Sequence, residues 1–210
     1  MESVGWAAVI EAVPVVVAAI VFHEVAHGAV AYVCGDPTAA RAGRLTLNPI
    51  PHVDLFGTII LPGLLLLAPL LSGGRPFVFG WAKPVPVDYR RLHHPRRDAV
   101  LVALAGPGTN LVLATLSAFA LASLPPHGML PNMAAMSLYI NCVLAVFNLL
   151  PVPPLDGSRI LHALLPARAA HAFGGLERVG FVLLLVVMLN TNILSCLVRP
   201  VLRFFLQLAG

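Results

Sequence analysis

The sequence of 210 residues has little charge, since Asp, Glu, Lys and Arg together make up 10% of it while 59% of the residues are hydrophobic. A typical soluble domain carries about a quarter charged residues. This shortage, together with a mean hydropathy of +0.89, excludes most soluble folds and indicates an integral membrane protein. So few charges leave little water-facing surface for a separate module, and we expect one membrane-embedded domain over residues 1–210.

Lysine and cysteine are also scarce, with one lysine and three cysteines in the whole chain. No basic run alternates with aromatic residues, so we expect no nucleic-acid partner. The cysteines lie far apart and lack the spacing of metal ligands. We expect most of them to pack inside apolar segments, where a free cysteine behaves as a small hydrophobic residue.

Long apolar stretches are abundant instead. A membrane-spanning helix needs about 20 of these residues, which predicts spans at about 6–33, 99–124, 133–150 and 179–198, the third continuing into a broken segment at 151–157. A further stretch contains Pro62-Gly63 and Pro69, is followed by a Ser72-Gly73-Gly74 turn, and predicts a re-entrant hairpin over 55–79. The expected fold class is an all-α polytopic membrane protein with about four transmembrane helices.

Two segments beside the predicted hairpin are expected to be extended. Residues 44–49 alternate polar and apolar side chains, and residues 81–87 contain prolines that exclude a helix. We predict that they form short β-strands at the membrane surface.

The distribution of Lys and Arg predicts the orientation in the membrane. If the hairpin re-enters, eleven of the thirteen Lys and Arg residues lie on one side, whereas nine do so if it spans. The positive-inside rule favours the first arrangement. We therefore expect a multi-pass protein of the cell membrane with the N-terminus outside and the loop 73–98 in the cytoplasm.

The first predicted span contains the pattern His-Glu-x-x-His, formed by His23, Glu24 and His27. Residues four apart lie on one face of a helix, so both imidazoles can reach one metal ion while Glu24 lies beside them. Zinc hydrolases use this arrangement, with the glutamate taking a proton from water. Ionisable side chains are costly in lipid, which favours a functional site over a structural histidine pair hydrogen-bonded to neighbouring helices.

A zinc site with two histidines needs a third protein ligand, and Asp156 is the candidate. It is the only acidic residue between Asp98 and Glu177 and lies in an apolar context. A carboxylate in that context needs a cation, which either zinc or the nearby Arg159 can supply. We interpret Asp156 as the third ligand, with an ion pair to Arg159 as the alternative.

Further polar residues and helix breakers flank these candidates. Pro151 and Pro153 end helical hydrogen bonding and leave backbone groups that can pair with an extended substrate. Asn148 can hydrogen-bond the reaction centre or the substrate, or it can make an interhelical hydrogen bond. His52 and Asp54 can be outer partners, gate residues or alternative metal ligands, or they can belong to an ordinary surface loop.

The segments HEVAH at 23–27 and NLLPVPPLDG at 148–157 resemble the site-2 protease family of intramembrane zinc metalloproteases. The segment AGPGTN at 105–110, which ends at Asn110, matches another element of that family. The segments NPIPHVD at 48–54 and GWAKPV at 80–85 are similar to its short bacterial branch, which has no PDZ or cystathionine-synthase-type domain. The ordered set covers most of residues 20–160.

The resemblance implies one zinc ion held by His23, His27 and Asp156, with Glu24 as the general base. It also implies that Asn148 engages the substrate or the reaction centre. The family pattern and the local chemistry together give six supporting positions, which are Pro151, Pro153, Gly157, Asn110, His52 and Asp54.

The function expected is that of an intramembrane zinc endopeptidase, which hydrolyses peptide bonds in or near transmembrane segments of other membrane proteins in regulated intramembrane proteolysis. Its partners would be the lipid bilayer and a substrate with a transmembrane segment. One alternative is a divalent-metal transporter, which is disfavoured because the polar residues cluster near one end of their spans. Another is an inactive relative that binds membrane proteins without cutting them, although the glutamate and all three proposed ligands are present.

Overall fold

The computed structural model describes residues 6–72, 80–176, 180, 182, 184 and 191–208. This part of the chain consists of helices and loops. The helices are α1 (Trp6–Val33), α2 (Thr38–Arg41), α3 (Leu61–Ser72), α4 (Pro95–Ser123), α5 (Met129–Asn148), α6 (Asp156–Leu164), α7 (Ala167–Gly174) and α8 (Thr191–Leu208). A π-helical turn at Leu55–Ile60 precedes α3, and 3₁₀ turns occur at Ile50–His52 and Tyr89–Arg91.

Three of the described helices, α1, α4 and α5, are long and apolar enough to cross a membrane. This confirms the prediction of a helical polytopic membrane protein. Helix α4 begins at Pro95, ahead of the predicted boundary, because proline suits the first turn of a helix and the Asp98 carboxylate accepts the backbone N–H of His94 at 2.7 Å. Nine residues of the predicted span 179–198 lie outside the described part of the chain, and its existence stays a prediction.

The predicted hairpin over 55–79 is helical as far as it is described. The π-helical turn continues directly into α3, and residues 73–79 lie outside the described part of the chain. The choice between a re-entrant and a spanning segment therefore stays a prediction.

The β-strands predicted at 44–49 and 81–87 are wrong, since neither segment has strand structure where the chain is described. Their hydrogen-bonding groups are used by side chains and by single backbone contacts instead of by a ladder; the N–H groups of Trp81 and Lys83 donate to the Gly57 and His52 carbonyls. The N–H of Val85 donates to the Glu24 carboxylate, and the Arg44 guanidinium donates to backbone carbonyls of the second segment. The prolines of that segment have no N–H to add.

Helix α4 lies at the centre of the fold and contacts α1, α5, α6 and α8. A buried apolar cluster joins its second half to α5 and α8, and its members are Ala114, Ala118, Leu138, Cys142, Val198 and Phe205. Alanines on α4 allow close approach of neighbouring helix backbones, which is a common basis of helix packing in membranes. Because α4 touches both α1 and α6, it can support side chains from the two helices that carry the candidate metal ligands.

Candidate metal centre

Two histidines of α1 and the first residue of α6 meet at one point. The Nε2 atoms of His23 and His27 are 3.0 Å apart, and the Asp156 Oδ2 atom lies 3.3 Å from the first and 3.2 Å from the second. Both histidines are more than nine-tenths buried. Among the described residues these three form the group of His, Cys, Asp and Glu side chains that can hold a metal ion.

The spacing of the three atoms suits a tetrahedral ion. Zinc lies about 2.0–2.1 Å from a histidine nitrogen or carboxylate oxygen, so two ligand atoms at a tetrahedral angle are about 3.3–3.4 Å apart. The observed separations of 3.0, 3.3 and 3.2 Å approach this value on all three edges. Three ligands from the protein leave a fourth position open, as in catalytic rather than structural zinc sites.

The outer nitrogen of each ring is held by α4. The Nδ1–H of His27 donates to the Val102 carbonyl at 2.7 Å, and the Nδ1–H of His23 donates to Asn110 Oδ1 at 2.6 Å. Because each neutral imidazole has one N–H, both Nε2 atoms point a lone pair towards the centre. The facing Asp156 Oδ2 atom is buried without a hydrogen-bond partner. Three converging lone pairs without a proton among them repel one another, so the donor set fits a cation.

Gly106 of α4 forms the wall behind the two histidines. A Cβ atom at this position would lie 2.6 Å from the Cε1 and Nε2 atoms of His23 and closer still to His27 Nε2. Real side chains do not approach other atoms this closely, so only glycine leaves the imidazoles in place. The space that the missing side chain leaves is occupied by the ligand atoms themselves.

Asp156 reaches the centre because α6 begins directly against the end of α5. A Cβ atom at Gly157 would lie 2.5 Å from the Leu150 carbonyl oxygen and also overlap the Leu149 carbonyl, so the close approach requires glycine. Pro151 and Pro153 lie in the loop between the two helices, as predicted from the sequence. The turn brings the carboxylate back to the level of the histidines.

The alternative ion pair of Asp156 is not formed. The Arg159 guanidinium lies over the ring of Tyr89, with 5.2 Å between its Cζ atom and the ring centroid. Arg159 is exposed, whereas Asp156 is partly buried. The carboxylate therefore faces the histidines and not the nearby arginine.

Glu24 is fixed beside the histidines by the 81–87 segment. Its Oε2 atom accepts the backbone N–H of Val85 at 2.7 Å. One turn further along α1, a Cβ atom at Gly28 would lie 2.9 Å from a methyl carbon of Val85, so the glycine allows this segment to lie against the helix. The structure thus gives the carboxylate a defined direction and one donor to balance its charge.

Three other predicted residues are engaged elsewhere. The Asn148 side-chain amide donates to the Leu144 carbonyl of its own helix at 3.0 Å. His52 is buried and contacts the Thr46 carbonyl through Nε2 at 3.0 Å, and Asp54 accepts the N–H of Gly57 at the start of the π-helical turn. None of the three belongs to the group that converges on the centre.

Two residues of the site had no role of their own in the sequence analysis: Gly106, which belongs to the matched segment 105–110, and Asn141, which belongs to none. Gly106 leaves room for the two imidazoles. Asn141 is not a candidate ligand, but its side-chain oxygen accepts a hydrogen bond from Asn110. The sequence does place Gly106 on the same face of α4 as the predicted supporting residue Asn110, because the two are four residues apart. No comparable spacing marks Asn141.

Replacing Asn110 by alanine is expected to weaken metal binding by about 10–100-fold, the usual cost of losing the outer partner of a ligating histidine. The change removes the acceptor of the His23 Nδ1–H. Competition with a chelator of known affinity, on purified protein, measures the effect. Thr115→Ala removes a hydroxyl that donates to the Leu111 carbonyl of the same helix and serves as control. Equal affinities for both variants would contradict the assigned role of Asn110.

Comparison with known proteins identifies relatives over most of the chain. The model of Peptidase family M50 matches residues 122–187. A relative from Bacillus subtilis named Putative zinc metalloprotease YwhC is 43% identical over 173 residues, which cover 78% of this chain and 73% of the relative. Proteins of the same description named Rip2 are 30% identical in Mycolicibacterium smegmatis, over 90% of this chain and 70% of theirs, and 33% identical in Mycobacterium tuberculosis, over 80% and 62%. No solved structure matches.

Proposed function

The chain belongs to Peptidase family M50, and on this basis we propose that it is an intramembrane zinc endopeptidase that hydrolyses peptide bonds in or near transmembrane segments of other membrane proteins. The observation that supports this most directly is the convergence of His23, His27 and Asp156 from two helices. The names of the relatives, which describe zinc metalloproteases, point to the same chemistry.

His23, His27 and Asp156 would hold one zinc ion in this proposal. When bound, zinc acts as a Lewis acid that polarises a carbonyl and lowers the pKa of water. The chain holds these ligands ready for it, because α4 fixes both rings through Val102 and Asn110. Little reorganisation of the side chains is then needed for binding.

Glu24 is the general base of the proposed reaction. Its carboxylate takes a proton from the attacking water and later gives that proton to the leaving amine. The hydrogen bond from the Val85 N–H holds Oε2 in one direction. The other carboxylate oxygen can then accept the proton without a change of rotamer, which favours both transfers.

The depth of the centre supports a substrate within or beside the membrane. Gly106 lies eleven residues after Pro95, at the start of α4, which corresponds to about 16 Å of helix. The hydrocarbon core is about 30 Å thick, so the histidines sit well inside the region that this helix crosses. Arg96 and Arg97 lie at the same end of α4, and we place this end at the cytoplasmic face by the positive-inside rule.

The loop after α5 is where we expect the substrate to bind. A helical substrate must be locally unwound before its peptide bond reaches the centre, and its exposed backbone groups then need partners. The proline-containing loop 151–155 has backbone groups outside any helix and leads directly to Asp156. The Asn148 amide lies at the start of the same loop and can exchange its bond to the Leu144 carbonyl for one to the substrate.

Cleavage by the purified protein in liposomes tests the proposal. A panel of single-span proteins, with and without helix-breaking residues in the span, is incubated with the enzyme, and mass spectrometry of the products locates each cut. We expect cuts within or next to the spans, loss of cleavage with a zinc chelator and recovery with added zinc. Uptake of zinc into liposomes without any cleavage would contradict the proposal and favour a transporter.

A further inference from the structure

We infer that Asn141, in the middle of α5, is a positioning residue that holds His23 in the tautomer able to bind a metal. The inference rests on the metal centre of the proposed function. Asn141 is 1% exposed, and within the described part of the chain its side chain hydrogen-bonds Asn110 and Ser137 and no candidate ligand. It acts through Asn110, whose side-chain nitrogen donates to the Asn141 Oδ1 atom at 2.8 Å.

The first step concerns the orientation of the Asn110 amide. Its oxygen must face His23, because only an acceptor there keeps the proton on Nδ1 and leaves Nε2 free for a metal. If the amide were turned over, its nitrogen would face His23, and the ring would have to accept through Nδ1 and carry its proton on Nε2. That tautomer cannot bind a metal through Nε2.

Two acceptors decide this orientation. The Asn110 side-chain nitrogen lies 2.8 Å from Asn141 Oδ1 and 3.3 Å from the Ala19 carbonyl. Turning the amide over would place its oxygen against both of these oxygens. Asn141 makes the shorter of the two contacts, so it supplies the larger part of the preference.

The orientation of Asn141 is fixed in turn by its own helix. Its side-chain nitrogen donates to the Ser137 carbonyl at 2.9 Å and lies 3.2 Å from the Ser137 hydroxyl, which accepts from the Ser117 hydroxyl at 2.8 Å. With its nitrogen committed to Ser137, Asn141 can present only its oxygen to Asn110. A chain of hydrogen bonds within the membrane-embedded part of the protein thus ends at a candidate metal ligand.

The positioning role also explains why a polar residue occupies position 141 inside a membrane helix. An amide buried in a membrane helix is unfavourable unless all of its groups are satisfied, and an apolar residue would pack at the same place without that requirement. Here both ends of the amide are used, one to anchor it and one to orient its neighbour.

Zinc affinity of the full-length protein in detergent tests the inference, measured by competition with a chelator of known affinity. Asn141→Leu keeps the size of the side chain and removes the acceptor, and we expect about a tenfold loss, the low end for outer partners of a ligand. Asn141→Asp should bind nearly as wild type, because a carboxyl group buried there stays protonated, accepts from Asn110 and donates to the Ser137 carbonyl. Ser123→Ala, which removes a hydroxyl that donates to the Phe119 carbonyl of its own helix, should leave the affinity unchanged.

A double-mutant cycle separates this role from general packing. In an Asn110→Ala background, Asn141→Leu should cause little further loss, because the residue through which it acts is gone. Multiplicative losses, or an equal loss for Asn141→Asp and Asn141→Leu, would overturn the inference. If Asn141→Leu does not fold, Asn141→Ser replaces it, since its hydroxyl bonds its own helix and is too short to reach Asn110.

The outcome is independent of proteolysis. Wild-type protein that binds zinc but cleaves no substrate would contradict the proposed function and leave the role of Asn141 standing. Asn141→Leu protein that binds zinc as wild type and cleaves normally would overturn only the role of Asn141.

Discussion

Glu24→Gln is expected to lower the rate of peptide hydrolysis by about 10³-fold while zinc binding stays at the wild-type level. A positioned general base typically contributes about 10²–10⁴-fold to the rate, and glutamine cannot take up the proton. Glutamine has the same size and still accepts the Val85 N–H through its amide oxygen, so the 81–87 segment should stay in place. Zinc content by elemental analysis and cleavage of a single-span substrate in liposomes measure the two parts of the prediction.

Asp156→Ala, measured in the same assays, is the variant to compare with Glu24→Gln. It removes one of the three converging atoms and should lose both zinc and activity. The pair of variants therefore separates proton transfer from metal binding. A Glu24→Gln enzyme that cleaves at the wild-type rate would refute the role of Glu24, and an Asp156→Ala protein with full zinc content would refute the ligand set.

The proposed metal ligands could be predicted because each of them is marked by a local feature of the sequence. A helix repeats every 3.6 residues, so the spacing of His23 and His27 already fixes their common face. Asp156 stood out because a lone carboxylate in an apolar run needs a cation. The resemblance to site-2 proteases linked these two distant segments, and it is confirmed by relatives that cover most of the chain.

Contacts between distant segments could not be predicted in the same way. The 81–87 segment was expected to pair with another strand, but the N–H of Val85 donates to Glu24, which lies 61 residues earlier. Nothing in either segment specifies that partner. The number of spans depends on the predicted span 179–198 and on the 55–79 segment, whose apolar residues and prolines fit both a spanning and a re-entrant path.

The packing of α1 on α4 explains why the role of Gly106 could not be predicted, although the residue belongs to the matched segment 105–110. A glycine inside a helix is usually unfavourable by about 1 kcal/mol relative to alanine, and the sequence does not show what stands opposite it. Only the packed helices place His23 and His27 where a side chain at position 106 would be. The glycine is thus retained against helix propensity at the point where two helices and a metal site meet.

Gly106→Ala is expected to weaken zinc binding by more than about a hundredfold, beyond the usual effect of losing an outer partner. The added methyl group would lie 2.6 Å from ring atoms of His23 and nearer to His27, so at least one imidazole must turn away. Alanine also strengthens an α-helix, so loss of zinc cannot come from a weaker α4.

Gly108→Ala is the matched control for this prediction. It makes the same change in the same helix, and a Cβ atom there would have no neighbour within 4 Å. Both variants gain the same helix propensity, so any difference in zinc affinity reports on the contact with the histidines. Chelator competition should show wild-type affinity for Gly108→Ala and a large loss for Gly106→Ala. Equal zinc affinities would mean that the imidazoles can move without leaving the metal, and that Gly106 does not determine the geometry of the centre.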